Sequence, residues 1–180
     1  VVLSSNISVC IGGSATITFT GTPNATVIYK VNGGANQTIV LNNLGIATIT
    51  GTFNVTTTYT LVSVSSATTP ICTQLLSDSI VVNVIPLPTA TISSNVSICP
   101  NSAATITFTG TPNATITYNA NGVQQTILLN GAGSASLTQN FAVTTTFELV
   151  SAATLGTPNC VQPLTGSVVV TVLPLPIVAI

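Results

Sequence analysis

Charge is nearly absent from this sequence. Among 180 residues only Lys30, Asp78 and Glu148 are charged at neutral pH, and there is no His, Met or Trp. Each absence removes a class of function. One cation cannot form the basic patch that a nucleic-acid partner needs to neutralise its phosphates. Metal sites need clusters of His, Cys or carboxylate, so no metal or other cofactor is expected. Acid–base catalysis near neutral pH has no imidazole to use. A Ser or Thr nucleophile has no His to activate it, and Lys30 falls on an outward strand position. Asp78 and Glu148 occupy unrelated positions, whereas a glycosidase needs two carboxylates flanking one bond. No catalytic residue is assigned, and the chain reads as a non-enzyme.

Long apolar runs are missing too, although the mean hydropathy is +0.72. A spanning helix needs about 20 consecutive apolar residues. The longest stretches, around Ile80 to Ile85 and Val168 to Leu173, are short and each meets a Pro-Leu-Pro. No membrane insertion is expected, and no basic segment followed by an apolar one marks a leader within these residues. Abundant β-branched residues argue against disorder. A neutral, Thr-rich, strand-forming chain remains, suited to a mechanical or adhesive task.

Internal repetition is the strongest positive signal. Gly21-Thr22-Pro23-Asn24-Ala25-Thr26 returns unchanged from Gly110 to Thr115, and Ala15-Thr16-Ile17-Thr18-Phe19-Thr20 from Ala104 to Thr109. Thr56-Thr57-Thr58-Tyr59 becomes Thr144-Thr145-Thr146-Phe147. Pro86-Leu87-Pro88 becomes Pro174-Leu175-Pro176. The offset falls from 89 to 88 after the loop at Gly33, so two domains are expected, residues 1–88 and 89–180. Position 90 aligns with position 1, so residues 177–180 overlap the start of a following repeat. That phase suggests a window from a longer array, or a unit that meets its own copy end to end; trimming at domain edges would give the same ends.

Within each repeat apolar residues alternate with period two. Ile17 and Phe19, then Val27, Tyr29 and Val31, then Ile39 and Leu41, Ala47 and Ile49, Tyr59 and Leu61, and Ile80, Val82 and Val84 all point one way. With a first strand near Ile7 and Val9 this makes about seven strands, and no segment has helical periodicity. Thr-Pro-Asn and Asn-Gly clusters supply the turns. The fold class is all-β: two tandem immunoglobulin-like sandwiches. Outward Thr favours extended backbone while offering a hydroxyl to water. A surface without charge lacks the usual protection of strand edges. Sugars on Thr, Ser or Asn would replace it; compositional bias alone would give the same pattern. Six Asn-x-Ser/Thr sequons occur, at Asn6, Asn24, Asn36, Asn54, Asn95 and Asn113.

The four cysteines sit at equivalent positions, Cys10 with Cys99 and Cys72 with Cys160. Cys10–Cys72 plus Cys99–Cys160 is the simplest of three pairings because it repeats with the domain. It would close loops of roughly 60 residues, worth about 3–4 kcal/mol in the loop-entropy model. A four-cysteine zinc site would need all four to converge, without close Cys-x-x-Cys spacing. Disulfides place the protein outside the cytoplasm. Pro86, Leu87 and Pro88 read as a short semi-rigid connector, and Pro174, Leu175 and Pro176 as the connector to whatever follows. With Asp78 the only acid near this junction, no linker calcium is expected.

The Cys, Ala-Thr-Ile-Thr-Phe-Thr-Gly-Thr-Pro-Asn-Ala-Thr, Thr-Thr-Thr-Tyr and Pro-Leu-Pro sequence of motifs resembles the tandem repeats of very large surface proteins of Flavobacterium-like Bacteroidota. These include gliding-motility adhesins exported by type IX secretion. The resemblance covers nearly the whole chain twice. The second copy departs where Asn121-Gly122-Val123-Gln124-Gln125-Thr126 replaces Asn32-Gly33-Gly34-Ala35-Asn36-Gln37-Thr38. It implies a secreted, cell-surface stalk or filament whose partners are neighbouring repeats. It also implies O-glycosylation at Asp-Ser/Thr-apolar motifs, which Asp78-Ser79-Ile80 matches at Ser79 and Gly166-Ser167-Val168 does not.

Three readings follow in order. The first is a disulfide-locked structural segment of an extracellular adhesin or filament. The second is a filament subunit that self-associates by strand exchange at its ends. The third is an accessory carbohydrate-binding module of a secreted enzyme, with surface glycans as partners.

Overall fold

The structure, a computed structural model, describes residues 1–4, 7–94 and 96–177. The chain divides into two compact units, Val1–Pro86 and Leu87–Ile180, so the boundary falls inside the first Pro-Leu-Pro. Residues 178–180, on which the end overlap and strand exchange rest, lie outside the described residues, as do Asn6 and Asn95.

The first unit contains β1 (Val2–Ser4), β2 (Ile7–Cys10), β3 (Gly13–Thr20), β4 (Thr26–Val31), β5 (Asn36–Val40), β6 (Ile46–Phe53), β7 (Thr57–Ser65), β8 (Thr73–Leu75) and β9 (Ser79–Ile85). One sheet has the order β1-β3-β6 and the other β2-β9-β7-β4-β5, with β8 also on β7. Pairing is antiparallel except for β2 with β9, which is parallel. The second unit repeats this plan with β10 (Ala90–Ser94), β11 (Ser97–Ile98), β12 (Ser102–Gly110), β13 (Thr115–Ala120), β14 (Val123–Leu128), β15 (Ser134–Phe141), β16 (Thr145–Ala153), β17 (Val161–Pro163) and β18 (Ser167–Val172). Its sheets run β10-β12-β15 and β11-β18-β16-β13-β14, with β17 on β16. Among the described residues no helix is long and apolar enough to cross a membrane.

Each unit is thus an all-β immunoglobulin-like sandwich, with nine strands among the described residues where alternation suggested about seven. The first strand is shared between sheets: β1 pairs with β3, and β2 with β9. The last strand is broken. β8 pairs with the end of β7 and β9 with its start. Leu76 N–H to Val62 O and Leu61 N–H to Asp78 O bridge the break, at 2.9 and 2.8 Å.

The period-two residues fill the space between the sheets. Ile17, Phe19, Val27, Leu41, Leu61 and Val82 are buried in the first unit; Ile106, Phe108, Ile116, Leu129 and Val170 are buried in the second. Each such side chain contributes about 1.5–3 kcal/mol by leaving water. All eight aromatic residues are buried. Tyr29 packs on Phe19 at 5.2 Å between ring centres, and Tyr118 on Phe108 at 4.9 Å. Their hydroxyls donate to Gln37 Oε1 and Gln125 Oε1, each at 2.9 Å, so the phenols can be buried without losing a partner.

The repeated motifs are those that close the sandwich. Gly45 (φ +76°) and Gly133 (φ +74°) lie so close to the carbonyls of Gly21 and Gly110 that a Cβ would collide with them. Gly21 N–H and Gly110 N–H return hydrogen bonds of 2.8 Å to Gly45 O and Gly133 O. The Thr triplet ties two loops to the strands. Thr56 Oγ1 accepts from Val84 N–H at 3.0 Å. The Thr57 hydroxyl donates to Val55 O at 2.9 Å, and Thr58 N–H donates to Asn32 Oδ1 at 2.8 Å. Thr144, Thr145 and Thr146 make the same three bonds with Val172, Val143 and Asn121.

Candidate functional site

The charged side chains form no constellation. Lys30 pairs across β4 and β7 with Thr60, and Glu148 pairs across β16 and β13 with Asn119. Asp78 is exposed before β9, with its backbone carbonyl holding Leu61. Among the described residues no three His, Cys, Asp or Glu gather where they could hold a metal ion. The titrating groups with displaced pKa values are phenols: burial pushes Tyr29, Tyr59 and Tyr118 above the ordinary 10.0, with Tyr29 adding to the effect on Tyr59.

Outward hydroxyls pair across strands as well as facing water. Thr16 meets Thr50, and Thr105 meets Thr138, at 2.9 Å; Thr91 meets Thr109 at 2.8 Å. Such pairs add to sheet stability without charge. An open notch of about 250 Å³ is lined by Ser93, Ser94, Thr105 and Thr107. The Ser94 hydroxyl is buried with no hydrogen-bond partner among the described residues. Ser79 opens β9 on an exposed position. Asn24, Asn36, Asn54 and Asn113 are exposed. Pro86 is exposed and Pro88 buried in the first connector, while Pro174, Leu175 and Pro176 are all exposed.

The cysteines carry the main departure from expectation. Cys10 and Cys160 are each disulfide-bonded, whereas Cys72 and Cys99 are exposed free thiols. The within-repeat pairs Cys10–Cys72 and Cys99–Cys160 are therefore not made. Strand register supplies the reason. Cys10 lies beside Ile85 on β9, three residues past Val82, which pairs with Thr57 at the start of β7. Cys72 lies at the other end of β7: its N–H donates to Ser66 Oγ at 2.9 Å, and its carbonyl accepts from Ser66 N–H at 2.9 Å. Ser66 lies nine positions further along than Thr57. At about 3.3 Å per residue the two cysteines are some 40 Å apart along the sandwich. A disulfide needs Cα atoms within about 7 Å.

The second unit obeys the same register. Leu173 N–H donates to Ile98 O beside Cys99, past the Val170–Thr145 pair. Thr154 N–H donates to Cys160 O at 2.9 Å, nine residues along from Thr145. Each unit thus carries one cysteine at either end. The backbone enters the second unit at Thr89, whose carbonyl accepts from Thr111 N–H, on the side where Thr115 pairs with Ala153 and Cys160 follows. It leaves the first unit after Ile85, beside Cys10. Cys72 and Cys160 are therefore leading-end cysteines, and Cys10 and Cys99 trailing-end ones. A cavity of about 210 Å³ opens at the leading end of the first unit, lined by Thr22, Val64, Ser66, Cys72 and Thr73 among others. Alternation in the sequence locates the strands but not their register, which is why these end positions were not readable from it.

No family model matches the chain, and no curated protein matches it. Solved structures do. A marsupial T cell receptor superposes with a TM-score of 0.62 at 10% identity, over 99% of this chain and 74% of the receptor chain. A structure described as giving insight into host cell surface retention of a 1.5-MDa bacterial ice-binding adhesin superposes with a TM-score of 0.50 at 13% identity, over 91% of this chain. The chain spans 59% of the length of that adhesin fragment. At such identities the likeness is one of architecture, and it is immunoglobulin-like.

Proposed function

We propose that residues 1–180 are a repeat segment of an extracellular adhesin or cell-surface filament, acting mechanically as a stalk and not as an enzyme. The observation that carries this reading is the duplication itself. What the two copies share is what closes a sandwich: the Gly21–Gly45 and Gly110–Gly133 contacts, the Thr triplets and the two cores. The adhesin likeness and the resemblance to Bacteroidota surface repeats add support. On that resemblance the whole protein is a type IX secretion substrate of the gliding-adhesin kind, and Ser79 is its O-glycosylation site. An exposed hydroxyl at the start of a strand is accessible to a glycosyltransferase without unfolding. Surface shaving of intact source cells, with the native polypeptide sized before and after chemical deglycosylation, tests the reading. A shaved chain far above 18.1 kDa that loses mass on deglycosylation is expected. A protected chain near 18.1 kDa would overturn it.

One observation favours a second reading, the carbohydrate-binding module. The hydroxyl-lined notch at Ser93, Ser94, Thr105 and Thr107 offers hydrogen bonds of the kind sugars accept, although no aromatic face is exposed for stacking. Glycan-array binding lost in Ser94→Ala would favour it over the stalk.

A further inference from the structure

One sheet margin of the first unit is left open. β6 (Ile46–Phe53) ends the β1-β3-β6 sheet, and among the described residues no strand pairs with its far side. An open edge strand is a template for another chain, and proteins blunt such edges with charge, Pro, a bulge or short length. The margins at β1 and β5 are short, at 3 and 5 residues. β6 has 8 residues with no charge and no Pro, and its register with β3 is unbroken. Its backbone parity follows from the preceding turn. Gly21 N–H donates to Gly45 O, whereas Ile46 O accepts from Asn42 N–H. Bonding direction alternates along a strand, so Ala47, Ile49 and Gly51 bond to β3. Thr48, Thr50 and Thr52 therefore turn N–H and C=O outward, where no backbone group among the described residues takes them.

A second feature lies on the core-facing side of the same strand. Ala47 and Ile49 are half-buried there and pack against the core. At Gly51, next in that row, a Cβ would meet nothing within 4 Å, and the backbone lies outside the left-handed region. Neither sterics within the unit nor conformation requires a glycine. Glycine inside a strand marks a bulge or the close approach of another backbone, and the unbroken register excludes a bulge. The second unit has exposed Gln139 at this place, opposite Ala104 as Gly51 is opposite Ala15. A long polar side chain on that row stands in the way of an added strand, so β15 is blunted where β6 is not.

We propose that β6 is an interface with a second copy of this chain: two β6 edges pair antiparallel about a two-fold axis at Thr50, with Ile49 of each copy beside Gly51 of the other. In that register Thr50 meets Thr50 and Thr48 meets Thr52, so the outward N–H and C=O groups of all three residues are bonded. Ile49 then faces Gly51 as a non-hydrogen-bonded pair, the arrangement in which side chains come closest. The bare glycine leaves the room that Ile49 needs. A second copy is the occupant because the pattern is its own complement. No charge on β6 repels its image, and none is there to select a partner of opposite sign. The same patch serves both copies, so the contact closes at a dimer. The inference goes beyond the stalk reading by giving the stalk a lateral partner, through an edge distinct from the chain ends.

The test uses the whole chain, with the free thiols of Cys72 and Cys99 alkylated so that no new disulfide joins copies. Sedimentation equilibrium over a concentration series should show monomer and dimer. Residue-resolved amide exchange at both ends of the series locates the contact without any variant. The amides of Thr48, Thr50 and Thr52 should gain protection in the dimer, while those of Ala47, Ile49 and Gly51 are protected throughout. Gly51→Gln, which installs the residue of the second unit, should abolish the dimer. Its side chain enters open space, so an unchanged urea midpoint shows that the fold survives. Thr38→Lys, on the β5 edge, should leave the dimer intact. A chain that stays monomeric at the highest attainable concentration overturns the proposal. So does a dimer whose three threonine amides exchange freely, one that persists in folded Gly51→Gln, or one lost in Thr38→Lys. None of these results depends on cell-surface location, so the interface and the stalk reading fail separately.

Discussion

The two units are near copies in sequence and in topology, and they differ in the state of the cysteine at the leading end of each. Their strand orders match, Phe19 and Phe108 are equally buried, and even the turn asparagines Asn32 and Asn121 share a positive φ of 50° and 47°. The leading cysteine, by contrast, is an exposed thiol in one and a buried half-cystine in the other. The interior of a repeat is thus set by the repeat's own residues.

The comparison can be broken most severely in the cores. Phe19→Ala and Phe108→Ala should each cost about 3–5 kcal/mol, read as the loss of unfolding free energy of the unit that carries the change. Unequal costs would show that the matching burial conceals a real difference. The glycine contacts come next. Gly45→Ala and Gly133→Ala should each destabilise by more than about 1 kcal/mol, because φ is positive and the new Cβ meets a carbonyl. Urea midpoints of the two variants check this, and an unchanged midpoint in either would discount the close approach to Gly21 or Gly110.

Smaller effects sharpen the comparison further. Asn32→Ala and Asn121→Ala each remove the acceptor for a triplet-threonine N–H, at Thr58 and Thr146, and should cost about 1 kcal/mol in thermal or urea unfolding. The smallest effect separates the units by pH. The phenols of Tyr29, Tyr59 and Tyr118 have pKa values raised above 10.0 by burial. The folded state therefore holds these protons more tightly than the unfolded state. That stability is fully present below pH 10.0 and is lost as pH rises through the folded values. The first unit has two such tyrosines, whereas the second has Tyr118 and, in place of Tyr59, Phe147. Urea midpoints taken at neutral pH and again above pH 10.0 should fall further for the first unit. Equal falls would remove the tyrosine explanation.

Most of the sandwich was legible from period-two alternation. Ile17, Phe19, Val27, Tyr29, Tyr59, Leu61 and Val82 are in the core as their spacing indicates. The splitting of the first and last strands was not legible. Both breaks arise because one strand serves two neighbours: β1 and β2 reach different sheets, and β8 and β9 share one edge of β7. Alternation records which face a residue takes, not which strand it pairs with. The same limit hid the cysteine arrangement. Equivalent positions in two repeats suggested a bridge inside each, and sequence distance says nothing about which end of a 40 Å sandwich a residue reaches, at about 3.3 Å per strand residue.

By itself the sequence determined the all-β class, the duplication, the buried face of each strand and the lack of charged chemistry. These follow from local composition and from a side-chain period that any extended backbone must obey. Only the tertiary structure decided that the two cysteines of one unit lie out of bonding distance. A disulfide depends on strand order and register summed across a whole sheet. In this fold that sum carries Cys10 and Cys72, and likewise Cys99 and Cys160, to opposite ends.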